Sequence, residues 1–99
     1  MKLTIEEKAK QHLESKGKTT VTIDLLRTSG GWCQKTIQVP EMVYSAPAVP
    51  ANYIEHEVSG IKVFVHQYIE KNSSDINLIL KNFLLFKYVE PKGIELPNL

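Results

Sequence analysis

Cysteine is nearly absent from this sequence: Cys33 is the only one among 99 residues. A single cysteine cannot form a disulfide within the chain, which is typical of proteins that stay in a reducing cytosol. Nor can it hold a structural zinc ion by itself, because such sites usually have four protein ligands. The scarcity of cysteine therefore excludes a disulfide framework and favours a cytoplasmic protein.

Long apolar runs are also missing. No stretch approaches the roughly 20 consecutive apolar residues that a transmembrane helix needs. Residues 1–7 (MKLTIEE) carry two acids and lack the apolar segment of a secretory signal peptide. We therefore expect no membrane association and a location in the cytoplasm.

A basic block and the common catalytic motifs are missing as well. The formal net charge is +1, whereas nucleic-acid-binding surfaces usually show clustered lysine and arginine, so nucleic acid is not an expected partner. The sequence contains no G-x-S-x-G motif, no phosphate-binding loop and no H-x-x-x-H pair. The adjacent carboxylates Glu6 and Glu7 are explained by the start of a helix. We therefore expect a protein that is not an enzyme.

The remaining composition is that of an ordinary soluble protein. Apolar residues make up 42% of the chain and charged residues 23%. A chain of 99 residues is long enough for one modest hydrophobic core, and no internal repeat divides it. We therefore predict a single domain over residues 1–99.

The chain begins with the pattern of an amphipathic helix. Thr4 followed by Glu7 is a capping-box pair, in which both side chains satisfy free amides at a helix start. Apolar residues then fall on one helical face, and Gly17 is suited to the position just after a helix end. The pattern predicts a helix over residues 4–15.

Most of the remaining chain has the alternation of short β-strands. Residues 19–27 alternate β-branched apolar and polar side chains, which predicts a strand with one face in water. Strands are predicted over residues 19–27, 35–39, 53–58, 61–66, 77–81 and 83–89, with a helix as the alternative for residues 78–80 because short apolar runs fit both. The first two and the next two are expected to form hairpins, with an irregular loop over 40–52 and one helical turn over 67–71. Together the predicted elements make a mainly β chain with α-helix (class α+β). This pattern favours a compact antiparallel β sandwich or pseudo-barrel with an N-terminal helix.

Cys33 lies in the most distinctive segment, residues 27–33 (RTSGGWC). The pair Gly30 and Gly31 permits positive φ angles, which predicts a turn between the first two strands. Backbone N–H groups of a turn can stabilise a thiolate, so Cys33 is a candidate reactive thiol or metal ligand. The alternative is a small apolar residue packed beside Trp32, since free cysteines are often buried.

The three histidines do not show metal-ligand spacing. In the predicted strand, His56 points away from the face that holds Glu55 and Glu57, so that strand is not expected to form a His/Glu metal site. His66 is expected at a strand end, and His12 is expected to be partly buried beside the apolar face of the helix.

Four segments, in order, resemble the HesB/IscA-like family, the A-type iron–sulfur carriers. The opening helix, residues 4–9 (TIEEKA), is similar to the family's first segment. Residues 27–30 (RTSG) resemble its R-x-S-G-C turn, residues 60–65 (GIKVFV) its G-[VI]-x-[VIF] strand, and residues 86–91 (FKYVEP) its F-x-F-x-N-P segment. The resemblance covers about residues 3–91 and implies the family's compact β fold with an N-terminal helix.

The resemblance also implies chemistry, and here the sequence departs from the pattern. Cluster-binding members carry a cysteine directly after the R-x-S-G turn and a C-x-C pair near the C-terminus. In this chain Gly31 follows the turn, the thiol comes two residues later at Cys33, and residues 92–99 contain no cysteine. The resemblance implies an iron–sulfur cluster or iron as the bound group, with Cys33 as its ligand. Because clusters are usually held by four thiolates, other ligands would have to complete the site.

Three functions remain open from the sequence. The first is a non-enzymatic protein of iron–sulfur biogenesis or of thiol and metal handling, with protein partners from those processes and Cys33 as its reactive group. The second is a binding module that kept the fold and no longer binds a cluster. The third is a redox protein that uses Cys33 with an external thiol. Exposed strand edges also allow a homodimer.

Overall fold

The computed structural model describes residues 2–29 and 36–95. Its elements are β1 (Lys2–Ile5), α1 (Glu7–Ser15), β2 (Thr20–Ser29), β3 (Thr36–Val43), one turn of 3₁₀ helix (Pro50–Asn52), β4 (Tyr53–Val58), β5 (Ile61–His66), α2 (Gln67–Asn72), β6 (Asp75–Phe83) and β7 (Phe86–Lys92). In the described part of the chain, neither helix has the length and apolar content that crossing a membrane requires.

The strands form two sheets, ordered β3-β2-β5-β4 and β1-β6-β7. Three hairpins supply the antiparallel pairs β2–β3, β4–β5 and β6–β7. The pairs β1–β6 and β2–β5 are parallel. The mainly β fold class with an N-terminal helix is confirmed, with mixed sheets in place of wholly antiparallel ones. Both parallel pairs join strands that are distant in the chain, which local alternation does not reveal.

One hydrophobic core joins both sheets and both helices. Its buried members are Leu3, Ala9, Leu13, Val21, Ile23, Ile61, Val63, Val65, Ile69, Ile76, Leu78 and Val89. Ala9 and Leu13 come from α1 at a spacing of four residues, so one face of this helix enters the core. The aliphatic residues of β2 and β5 alternate in the way that strands with a buried face require.

The start of the predicted helix is wrong. Thr4 belongs to β1, and its Oγ1 donates to Asn77 Oδ1 over 3.0 Å instead of capping a helix. Glu6 precedes α1, has no side-chain capping bond, and its N–H donates to the Leu78 carbonyl over 2.8 Å. Pairing with β6 satisfies these groups, so tertiary contacts override the capping-box pattern.

The predicted helix end is confirmed. Gly17 has a φ of +69°, and its N–H donates to the Glu14 carbonyl over 3.1 Å. The Lys18 N–H donates to the Leu13 carbonyl over 2.8 Å. These two bonds form a Schellman motif, which uses glycine because the residue after the helix takes a left-handed conformation.

Two predicted boundaries are corrected at prolines. β3 continues through Pro40 to Val43, so the irregular loop is shorter than predicted. β7 likewise continues through Pro91. Both strands lie at sheet edges, where one side of the strand makes no ladder bonds and a missing N–H is tolerated.

Two other predictions about strands are wrong. The stretch 83–89 is not one strand: β6 ends at Phe83, Leu84 and Leu85 form the loop, and β7 begins at Phe86. The face of β2 predicted to lie in water includes Thr22, which is buried and donates to the Ser45 carbonyl over 2.7 Å. The segment after β3 covers this face, which the alternation within β2 does not show.

Candidate functional site

The hairpin that leads to Cys33 extends beyond its sheet. β2 and β3 pair from Thr22↔Val43 to Ser29↔Thr36, whereas β5 pairs with β2 only as far as Ile23. We call the two-stranded part beyond Ile23, residues 24–29 and 36–41, the hairpin arm. At about 3.3 Å per residue, Ser29 lies roughly 20 Å along β2 from Ile23.

Cys33 itself lies outside the described residues, and so do Trp32 and the Gly30–Gly31 pair. These residues belong to the six that connect Ser29 with Thr36, the last described pair of the arm. The predicted hairpin between the two strands is confirmed by their register. The role of Cys33 as a cofactor or metal ligand stays a prediction.

The base of the arm is fixed by polar side chains. Asp24 Oδ1 accepts from the Tyr53 hydroxyl over 2.8 Å and from the Leu25 N–H over 2.7 Å. Burial, together with the hydrogen bond to the Asp24 carboxylate, raises the pKa of Tyr53 to about 12. These groups line a cavity of about 260 Å³ together with the segment that follows β3. Tyr53 therefore links the base of the arm to β4.

The histidines are placed apart from one another. His56 Nε2 lies 3.1 Å from Glu70 Oε2, so β4 is tied to α2. His66 ends β5, as predicted, and its Nδ1 accepts the Tyr68 N–H over 3.1 Å at the start of α2. His12 is half-buried on α1, also as predicted.

The sequence did not predict the His56–Glu70 pair, because Glu55 and Glu57 are the acids that neighbour His56 in the chain. Glu70 comes from an element that follows β5, and only the packing of α2 on the second hairpin brings the two together. Within residues 2–29 and 36–95, no group of three or more His, Cys, Asp or Glu side chains is arranged to hold a metal ion.

A second surface feature was also missed by the sequence analysis. The two-residue loop of the β6–β7 hairpin and the strand residues on either side of it form four consecutive apolar residues, 83–86 (FLLF), and all four are exposed. We call these residues the apolar tip. The signal was present as an apolar run between Asn82 and Lys87, but it was interpreted as the start of a buried strand.

A lysine-lined cleft lies beside the apolar tip, between α1 and the β6–β7 hairpin. One cavity of about 500 Å³ and one of about 280 Å³ share His12 and Lys87 in their linings. We call their four lysines, Lys8, Lys16, Lys18 and Lys87, the lysine cleft. Neither lining contains an Asp or a Glu. The cleft therefore favours anionic groups.

Two comparisons with known proteins bear on this geometry. The model of the CC/Se motif containing family matches residues 1–94. The fold is similar to that of Escherichia coli SufA, a protein involved in the biosynthesis of iron–sulfur clusters, with a TM-score of 0.60 and 15% sequence identity. The match covers 94% of this chain and 86% of the SufA chain. No curated protein matches the sequence. The architecture that the HesB/IscA-like motifs indicated is thus confirmed at the level of the fold.

Proposed function

The chain belongs to the CC/Se motif containing family, and we propose that it takes part in iron–sulfur cluster biogenesis or in related thiol and metal handling, without catalysing a reaction itself. The observation that carries this proposal is the fold it shares, over nearly the whole chain, with a protein involved in the biosynthesis of iron–sulfur clusters. The proposed partners are proteins that supply or receive the cluster, the iron or the sulfur.

The donor set does not fit a complete cluster site within one chain. A cluster usually needs four thiolates, and Cys33 is the only cysteine in the sequence. In the described residues no group of three or more His, Cys, Asp and Glu side chains is arranged to hold a metal ion. Any cluster or iron that the protein handles is therefore cargo, to which Cys33 contributes one thiolate while a second copy, a partner or a small thiol provides the rest.

The position of Cys33 in the chain supports this role. It lies in the connection between the two strand ends of the hairpin arm, and those ends are roughly 20 Å along the strand from the main sheet. Leu26 and Val39, which pair across the middle of the arm, are exposed and do not belong to the core. We propose that a cargo held jointly with another molecule reaches the thiol at this end of the arm.

The family description points to an informative variant. In one-letter code a CC motif is a pair of adjacent cysteines, whereas this chain has Trp32 before Cys33 and Gln34 after it. Trp32→Cys or Gln34→Cys would create such a pair, and both positions lie outside the residues that the structure describes. Two adjacent thiolates hold iron better than one, because the second ligand binds at a high effective concentration.

The test is anaerobic addition of ferrous iron and sulfide, followed by visible absorption and iron analysis. Wild type is expected to develop a chromophore with at most one cluster per two chains, Cys33→Ser to lose it, and Trp32→Cys to bind more iron. Ser at position 33 keeps the size of the side chain but is a poor ligand for iron. The absence of any Cys33-dependent chromophore, metal adduct or thiol adduct would refute the proposal.

A second function is favoured by the incomplete donor set: an interaction module that kept the fold and does not bind a cluster. Gly31 stands where the HesB/IscA-like pattern has its first cysteine, and residues 92–99 contain no cysteine. This alternative predicts that Cys33→Ser leaves binding to partner proteins unchanged. A clear loss of partner binding in that variant would contradict it and support the first proposal.

A further inference from the structure

The apolar tip exposes a contiguous stretch of apolar side chains to solvent. The exposed fractions are 66% for Phe83, 83% for Leu84, 97% for Leu85 and 71% for Phe86. Single exposed apolar residues are common, but a contiguous apolar patch with polar residues around it usually marks an interaction site. Asn82 and Lys87 flank this patch as a cross-strand pair.

The backbone of the loop does not explain why it is apolar. Leu84 has a φ of 56°, in the left-handed region that glycine and asparagine adopt more readily than leucine. The two-residue loop between β4 and β5 also has positive φ angles, 54° at Ser59 and 84° at Gly60, and it has glycine, which such turns favour, at one of the two positions. The local backbone preference therefore does not account for a leucine at this position.

Positive charge lies beside the tip. Lys87 follows Phe86 directly and contributes to both cavities of the lysine cleft. Lys81, two residues before Phe83 on β6, pairs with Tyr88 and adds a cation next to the loop. The tip is an apolar projection with cations beside it, and no Asp or Glu lines the adjoining cavities. Such a projection is complementary to a surface whose interior is apolar and whose rim is anionic.

The size and shape of the tip limit its occupant. Its four side chains expose on the order of 500 Å² in all, if a fully exposed large side chain presents about 150 Å². A stable protein–protein interface buries about 800 Å² on each partner. The tip is also a convex loop and not a groove or a flat face. A lipid bilayer needs neither a complementary pocket nor a minimum area, because binding there grows with the apolar area inserted and with attraction to anionic lipids.

We propose that the protein binds the surface of an anionic lipid bilayer through this hairpin. The apolar tip enters the boundary between headgroups and acyl chains, and the lysine cleft faces the lipid phosphates. This peripheral contact needs no transmembrane helix, and it differs from the expectation that the chain does not bind membranes. It does not depend on Cys33.

The test is co-sedimentation of the full chain with vesicles. Vesicles of equal parts phosphatidylcholine and phosphatidylglycerol are expected to bind the protein, and binding should fall with added salt and be weak on phosphatidylcholine alone. Replacing Leu84 and Leu85 together by asparagine should lower the partition coefficient by about 100-fold or more. Lys87→Gln should lower it about fivefold.

Matched variants separate this contact from general effects. Lys71→Gln makes the same charge change on α2, away from the lysine cleft, and should leave partitioning unchanged, as should Cys33→Ser. Thermal melting of every variant shows whether a loss of binding reflects unfolding, and Leu85→Asn alone provides a second tip variant. Because the tip is exposed, both tip variants are expected to remain folded.

Three results would overturn the inference. The first is no binding to anionic vesicles, and the second is binding that the folded tip variants retain. The third is an equal loss of binding in Lys71→Gln and Lys87→Gln, which would mean that only total charge matters. If vesicles do not bind and the wild type instead forms a dimer that the tip variant abolishes, the tip is a contact with a second copy.

Discussion

We expect replacement of Leu84 by asparagine to stabilise the folded protein. Leu84 is the first residue of the loop between β6 and β7 and has a φ of 56°. Its side chain is exposed, so the substitution removes no core contact. Asparagine tolerates the left-handed region better than leucine because its short polar side chain can hydrogen-bond to the local backbone.

The expected gain follows from the backbone conformation. A non-glycine residue in the left-handed region costs about 1–2 kcal/mol, and asparagine recovers part of that cost. We therefore expect the free energy of unfolding to rise by about 0.5–1 kcal/mol, which in a domain of this size raises Tm by about 2–8 °C. The increase would coincide with the weaker vesicle binding proposed for the tip variants, so stability and function would move in opposite directions.

Urea unfolding followed by far-ultraviolet circular dichroism measures this change, with the denaturant slope unchanged in all variants. Leu85→Asn is the matched control, since Leu85 is equally apolar and exposed but does not have a positive φ. It should change stability by less than about 0.5 kcal/mol. If Leu84→Asn lowers stability, or if Leu85→Asn raises it as much, the conformational explanation is wrong.

Two further predictions concern side-chain ionisation and glycine. The pKa of Tyr53, about 12 when folded, lies above the unfolded value of about 10, so its contribution to stability is full below pH 10 and is lost as the pH rises to 12. The tyrosinate absorbance that Tyr53→Phe removes should have its midpoint near pH 12, and Asp24→Asn should lower that midpoint. A midpoint near pH 10 for the absorbance removed by Tyr53→Phe would contradict this. Gly93→Ala should cost more than about 2 kcal/mol, because its φ is +92° and a Cβ would overlap the Asp75 carbonyl oxygen. Gly17→Ala, with a φ of +69° and open space around it, should cost only about 1 kcal/mol in urea unfolding, and equal costs would refute the steric argument.

Local sequence patterns predicted the turns and the helix end that depend on residues adjacent in the chain. The turn at Ser59 and Gly60, between two alternating runs, correctly predicted the β4–β5 hairpin. Gly17 correctly marked the end of α1, because a glycine at that position supplies the left-handed conformation of a Schellman motif. The glycine-rich segment before Cys33 correctly indicated a connection between paired strands.

The candidate site was predicted only in part, because local patterns do not relate residues from different elements. A rare residue in a distinctive segment can be identified from the sequence, so Cys33 was found, although its surroundings lie outside the described residues. The pair of His56 and Glu70 and the lysine cleft join residues from different elements. No spacing rule within one segment relates such residues.

The sequence by itself determined that the β2–β3 and β4–β5 segments form hairpins, where α1 ends, and that the chain has a single thiol. These properties depend on short-range conformational preferences and on composition. Only the tertiary structure decided that residues 2–5 form a strand, that β5 pairs in parallel with β2, and that the apolar tip faces solvent beside a lysine cleft. Each of these depends on free energy gained between distant segments: residues 2–5 pair with residues 75–78 of β6, and Leu3 enters the core.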